Sequence, residues 1–166
     1  MKTNRRKFTI LLADSDPDEY YLLRDALAEN GYEGKLAYVS DVEELLAYLR
    51  VNLNRVSIIL MDLHLDGGGG GKALTELRRD PQLMHIPVVT MNLAPEPQDL
   101  VRIYALGARS HIEKPLTFGE QVHVIGSFLY YWMDVVALPE HGPYLDEVQA
   151  PLISRTPKAM EPGFAV

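Results

Sequence analysis

Short aliphatic runs alternate with longer amphipathic stretches through residues 8–138, and few folds accept that rhythm. Phe8 to Ala13 reads as a buried strand. Asp16-Pro17 starts a helix, an N-cap acid followed by proline at the first helical position. That helix runs to an Asn30-Gly31 stop, with Leu22, Leu23, Ala26 and Leu27 on its inner stripe. Lys35 to Val39 is a second strand, after which Ser40/Asp41 caps a helix carrying Val42, Leu45, Leu46 and Leu49. Ser57 to Met61 is a third strand, and a helix around residues 72–80 turns Ala73, Leu74 and Leu77 inward. Val88 to Met91, a helix near residues 98–106, Ala108 to Ile112 and a long helix from about Phe118 to Val136 complete the series. Strictly alternating elements imply parallel strands joined by right-handed crossovers. The expected architecture is a doubly wound α/β fold, a five-stranded parallel sheet with helices on both faces.

In such sheets functional groups gather just beyond the carboxyl ends of the strands. The residues there are Asp14, Asp62, Asn92 and, two past Ile112, Lys114. A carboxylate can attack a phosphoryl group as a nucleophile. A second carboxylate helps hold Mg²⁺, which offsets charge on the phosphoryl oxygens. Lysine adds a positive point charge, and an amide can hydrogen-bond a phosphoryl oxygen. Polar residues are common where any strand meets solvent. Four of them in register with four strands make a phosphoryl-transfer constellation.

Composition removes several other readings. Without cysteine the chain has no disulfide scaffold, Cys-ligated zinc or thiol chemistry. The five histidines form no close pair in sequence, so no zinc site is expected. A pI near 5.2 argues against a protein built to grip nucleic acid. The basic start, Lys2 to Lys7, precedes an apolar run too short for a signal peptide, and no run reaches the length of a membrane span. A cytoplasmic protein is the expectation. The domain reading is a basic segment at 1–7, a folded body at 8–138 and a proline-rich tail at 139–166.

Taken in order, the motifs resemble a response-regulator receiver domain over about residues 8–138. Ile10 to Pro17 is similar to the family's first-strand acidic motif, and Ile58 to Leu65 to its phosphoacceptor strand. Ile86-Pro87-Val88-Val89 resembles the fourth strand, and Gly107-Ala108 with Lys114-Pro115 the fifth strand and its lysine. The resemblance implies the flavodoxin-like receiver fold and a phosphoacceptor signalling domain rather than an enzyme. By that analogy Asp62 is the phosphoacceptor, and Asp14 and the backbone carbonyl of His64 help Asp62 hold Mg²⁺. By the same analogy Lys114 bonds the phosphoryl group, the Lys114–Pro115 peptide is cis, and Asn92 and His111 stand at the switch positions. Phe128 to Pro139, with the segment Asp80 to Pro87, is similar to single-domain regulators paired with phytochrome-type histidine kinases. That resemblance implies a light-sensing two-component phosphorelay.

Several positions depart from the family pattern. Ser15 stands where a second acid normally touches Mg²⁺, so metal affinity should fall. Asp16 is better placed to cap the helix than to compensate. Asn92 replaces a serine or threonine, Leu93 a small residue, and Asp66 a proline. Gly67 to Gly71 should form a mobile loop, and with Ala73 after Lys72 it is not a phosphate-binding loop.

The last helix is apolar nearly all round, so one face needs a cover beyond the sheet. The expectation is a homodimer through Phe128, Tyr131, Trp132, Val135 and Val136. Tail residues Tyr144, Leu145, Leu152, Ile153 and Phe164 would reach across as a proline-stiffened arm. Helix and tail packed within one subunit is the competing arrangement. Too short and proline-rich for an output domain, the tail leaves protein contact as the expected output. Two alternatives to a phosphoaccepting receiver are carried forward. One is a degenerate receiver that signals by contact alone, favoured by Ser15, Asn92 and Asp66. The other is a phosphatase with Asp14 as nucleophile, suggested by Asp14-x-Asp16 after a hydrophobic strand.

Overall fold

A computed structural model describes residues 8–139. The elements are β1 (Thr9–Ala13), α1 (Pro17–Glu29), β2 (Lys35–Val39), α2 (Val42–Val51), β3 (Ile58–Asp62), α3 (Gly69–Arg79), β4 (Val88–Asn92), α4 (Pro97–Ala105), β5 (Ser110–Glu113) and α5 (Phe118–Leu129). A π-helical segment, Tyr130–Val135, continues α5. Segment 1–7 and the tail arm lie outside the described residues.

All strand pairs are parallel, and the sheet order is β2-β1-β3-β4-β5. Alternation along each strand divides the core into two layers. Leu11, Ala13, Ile59, Met61 and Val88 face α2 and α3, meeting Leu45, Leu49, Leu74 and Leu77. Ile10, Leu12, Ile58, Leu60 and Val89 face the other way, against Leu23 and Leu27 of α1 and Ile125 and Phe128 of α5. Strands buried on both faces are near-continuous apolar runs, which is why they were legible.

Helix starts follow the local chemistry. Asp16 caps α1, its carboxylate accepting from the Asp18 backbone N–H at 2.9 Å. Asp41 caps α2 by accepting from Glu44 N–H at 2.8 Å. Thr117 and Glu120 form a reciprocal capping box on α5.

Four details correct the sequence reading. The glycine run is not one loop: Gly69, Gly70 and Gly71 form the first turn of α3, three residues before the expected start. Gly67, Gly68 and Gly69 have φ of 86°, 120° and 80°, values that only glycine adopts without strain. Gly70 packs where a Cβ would sit 3.1 Å from Leu63 Cα and 3.2 Å from the Asp62 carbonyl oxygen. The final helix does not stay α-helical to Val136, because its last turn widens to π geometry at Tyr130. Among the described residues no peptide is cis, so Lys114–Pro115 is trans. The intrinsic preference of an X–Pro bond is only about 0.5–1 kcal/mol, small enough for local context to set the isomer. Finally, Phe128 and Trp132 are only 4% and 7% exposed, held in the layer between α1, α5 and the sheet. They complete this chain's own core and are not free to meet a partner.

Candidate functional site

Strand register brings the site together. Ala13 pairs with Met61, so Asp14 emerges from β1 beside Asp62 at the end of β3. Asp62 pairs with Met91, and Asn92 with Glu113, the residue before Lys114. Two backbone bonds pin the ends: Asp14 N–H donates to the Val39 carbonyl at 3.1 Å, and Lys114 N–H to the Asn92 carbonyl at 2.7 Å. The four residues read from the sequence therefore share one cleft, which Ser15, Asp16, Glu19, His64, Leu93 and Ala94 also line.

Lys114 is its electrostatic centre. The Nζ lies 2.8 Å from Asp14 Oδ2, 2.5 Å from Asp62 Oδ2 and 3.6 Å from Glu19 Oε1. Burial alone would push this ammonium toward its neutral form, but the hydrogen bonds to Asp14 and Asp62 outweigh it and raise the pKa above the ordinary lysine value. Lys114 therefore stays charged through the neutral range. Asp14 is deeply buried with both oxygens engaged, Oδ1 accepting from Asp16 N–H at 2.9 Å. Asp62 is more open. Its Oδ1 accepts from His64 N–H at 2.5 Å, and the His64 ring is largely in solvent with Nδ1 3.6 Å away.

Ser15 has another task than metal binding. Its hydroxyl donates to the Ser40 carbonyl at 3.1 Å and accepts from Asp66 N–H at 2.8 Å, tying together the loops that follow β1, β2 and β3. Asp16, as expected, is committed to its cap. Asn92 is 6% exposed, and its Oδ1 has no hydrogen-bond partner among the described residues. His111 lies half-buried with Nδ1 2.9 Å from Thr90 Oγ1, and burial holds its pKa below the ordinary histidine value.

Glu19 is the site residue that the sequence reading missed. It is the third residue of α1, and Asp16 caps that helix at the edge where Asp14 emerges. The first turn thus overhangs the cleft, a placement implied by the cap and the strand end together. Burial raises the Glu19 pKa most, Lys114 opposes that shift, and Asp14 adds to it.

The donors are carboxylate and amide oxygens, the set that suits Mg²⁺ and similar hard cations. Among the described residues no three acidic or histidine side chains stand grouped as a ready-made metal cage, and the Lys114 ammonium sits between the carboxylates. The residue types fit the cation, and the orphaned buried Asn92 oxygen beside them needs a partner.

Comparison with known proteins agrees with this geometry. The relatives include the probable methanogenesis regulatory protein FilR2 of Methanothrix harundinacea, 28% identical over 130 residues that cover 76% of this chain and 84% of FilR2. Response regulator Rcp1 of Synechocystis is 25% identical over 143 residues, 83% of this chain and 97% of Rcp1. Among solved structures, the phosphorylated cyanobacterial phytochrome response regulator RcpA superposes with a TM-score of 0.73 at 28% identity, covering 80% of this chain and 98% of that one. Response regulator RPA3017, in red light signaling of R. palustris, gives 0.73 at 25% identity over 80% of this chain and 98% of that one. The response regulator receiver domain matches residues 10–125, a span that holds the five strands apart from Thr9 and every side chain around Lys114. The chain therefore belongs to the response regulator receiver family and to two-component phosphorelay signalling.

Proposed function

We propose that this receiver takes a phosphoryl group from a histidine kinase onto Asp62. The observation that carries the assignment is the Lys114 ammonium, 2.5 Å from a carboxylate that is open to the cleft. One Asp62 oxygen attacks phosphorus as the P–N bond of the kinase phosphohistidine breaks, and the imidazole leaves with the electron pair and takes up a proton. Lys114 and the Asn92 amide group stand where phosphoryl oxygens would gather. Asp14, Asp62 and the His64 carbonyl would hold Mg²⁺, whose charge offsets that of the phosphoryl oxygens. Asp14 does not serve as a phosphatase nucleophile, since its carboxylate is buried while that of Asp62 opens to the cleft.

The kinase we propose is of the phytochrome type. Support comes from likeness to a cyanobacterial phytochrome regulator and to a regulator of red light signaling. A second copy of this chain is the other proposed partner. Tyr131 and Val135 are 50% and 56% exposed at the end of the last helix, while Val101 and Tyr104 are exposed on α4. The edge strand β5 lies between these two elements in the chain and, among the described residues, pairs on one side only. A two-fold contact there would cover all of them.

The degenerate reading keeps one specific support, the neutral Ser15 with its hydroxyl committed elsewhere. Incubation with a small phosphoramidate or acyl phosphate donor and Mg²⁺, read by intact mass, separates the two. Wild type should gain one phosphoryl group, and Asp62→Asn should not. No gain in wild type, with small donors or with phytochrome-type kinases, would establish the contact-only receiver instead.

A further inference from the structure

Three carboxylates surround the Lys114 ammonium rather than a preformed cage, and they come from three parts of the fold. Asp14 follows β1, Asp62 ends β3, and Glu19 comes from the first turn of α1; all lie within 3.6 Å of Lys114 Nζ. Three carboxylates against one ammonium make a formal surplus of two negative charges in a partly buried site. Inside the same cleft the Asn92 side chain, 6% exposed, holds a carbonyl oxygen with no partner among the described residues. An unpaired acceptor beside surplus negative charge calls for a cation or its coordinated water, since another acceptor would worsen both. Of the other oxygen-bearing side chains between Asp14 and Glu19, Asp18 is exposed and the remaining two are spent. Ser15 ties three loops together, and Asp16 caps α1.

We propose that Glu19 is the third carboxylate of the divalent-cation site, its Oε1 held to the ion directly or through one coordinated water, alongside Asp14 and Asp62. The inference rests on the cleft being the phosphoacceptor site, and it assigns the acid that completes it. α1 has the leverage to do this. The Asp16 cap and Pro17 fix the helix start one turn before Glu19, so its carboxylate is delivered by a rigid element rather than a loop. On this view Ser15 costs the site a charge at one position and Glu19 returns it from another. Its approach to Lys114 is the resting arrangement of a group that turns to the cation when one arrives.

The test is Mn²⁺ binding to the full chain, followed by loss of the free-ion EPR signal and by paramagnetic broadening of assigned amide resonances. No phosphodonor is present, so failure here is distinct from failure of Asp62 to accept a phosphoryl group, which the mass measurement reads. Wild type should bind one ion, with broadening centred on residues around Asp14, Glu19 and Asp62. Glu19→Gln should weaken binding about tenfold or more, as loss of a group that orients or ligates a metal does. Asp18→Asn, which removes the same charge from the exposed side of that turn, should stay near wild type. Ser15→Asp added to Glu19→Gln should recover affinity, which a damaged fold would not. Equal affinity of wild type and Glu19→Gln would show Glu19 to be only a partner of Lys114 and overturn the proposal. So would an equal loss in Asp18→Asn, or the absence of Mn²⁺ binding in wild type.

Discussion

Protonating His111 adds a charge and an N–H to a ring already half-buried. Nδ1 is taken up with Thr90 Oγ1, and Nε2 is buried without a partner among the described residues, so a second N–H there has nothing to donate to. Burial lowers the folded pKa below the ordinary histidine value of 6.5, and Glu113 opposes the shift only in part. The unfolded chain then binds more protons than the folded one as pH falls through 6.5. The neutral ring's contribution is complete above that value and is lost as pH drops toward the folded pKa. Urea unfolding of wild type should therefore lose stability between pH 7 and pH 5 more steeply than that of His111→Asn, which keeps a polar group facing Thr90 and does not titrate. Equal slopes would assign the acid sensitivity to other groups. The residue scale also shows where sequence reading succeeds. Asp14, Asp62 and Asn92 are legible because each closes or follows an apolar strand, and Lys114 because it follows the end of β5; a strand end has a fixed place in a parallel sheet. Glu19 and the loop-tying role of Ser15 are not, because both depend on how one helix or loop is turned toward another. Phase within a strand is written in the sequence; orientation between elements is set by packing.

Helices α1 and α5 meet through a contact that no periodicity reveals. Asn30, at the C-terminus of α1, donates its amide to the Ala26 carbonyl at 2.8 Å and to the Val122 carbonyl of α5 at 2.9 Å. Gly126 makes room for that side chain: a Cβ there would lie 2.6 Å from Asn30 Oδ1. Gly119, in the first turn of the same helix, faces open space. The two glycines should thus respond oppositely to alanine. Gly119→Ala should stabilise by about 0.5–1 kcal/mol, the usual gain in helix propensity. Gly126→Ala should destabilise by about 1 kcal/mol, because displacing Asn30 breaks two hydrogen bonds and outweighs the same gain. Shifts of one sign in thermal melts of both variants would refute the packing account. Elements were otherwise well placed by the sequence wherever a cap marked the start, as at Asp16 and Asp41. They were misplaced where glycine stood in for a cap: α3 begins within the Gly67–Gly71 run because Gly70 fits against Leu63, a contact between segments that composition does not show. The π turn at Tyr130 is likewise silent in the sequence, since the apolar residues around it fit either winding.

At the largest scale the described residues form a sheet with one interior switch in strand order and, among them, an open edge at β5. Alternating elements made the parallel sheet legible, but the order β2-β1-β3-β4-β5 was not, because crossovers of similar length can step to either side. That order puts Asp14 and Asp62 on adjacent strands, and it leaves the apolar groups of α4 and of the last helix without a cover among the described residues. Wrapping the last helix around its own core accounts for Phe128, Trp132 and Met133, so the surface left for a partner is smaller than apolar content alone suggested. Tyr131 and Val135 remain exposed, and on a two-fold interface each counts twice. A single charge at position 131 would therefore bury two like charges near each other at the proposed contact. Sedimentation should show wild type as a dimer at micromolar concentration and Tyr131→Asp shifted to monomer. Val51→Asp, on an apolar side chain that is 84% exposed at the end of α2, should leave the dimer intact. A wild type that sediments as a monomer, or loss of the dimer in both variants alike, would place the contact elsewhere. The proposed phosphoacceptor cleft lies at the carboxyl end of the same β5 that lines the proposed interface, so the dimer dissociation constant should change when a phosphodonor and Mg²⁺ are added, and an unchanged constant would show the two sites to be independent.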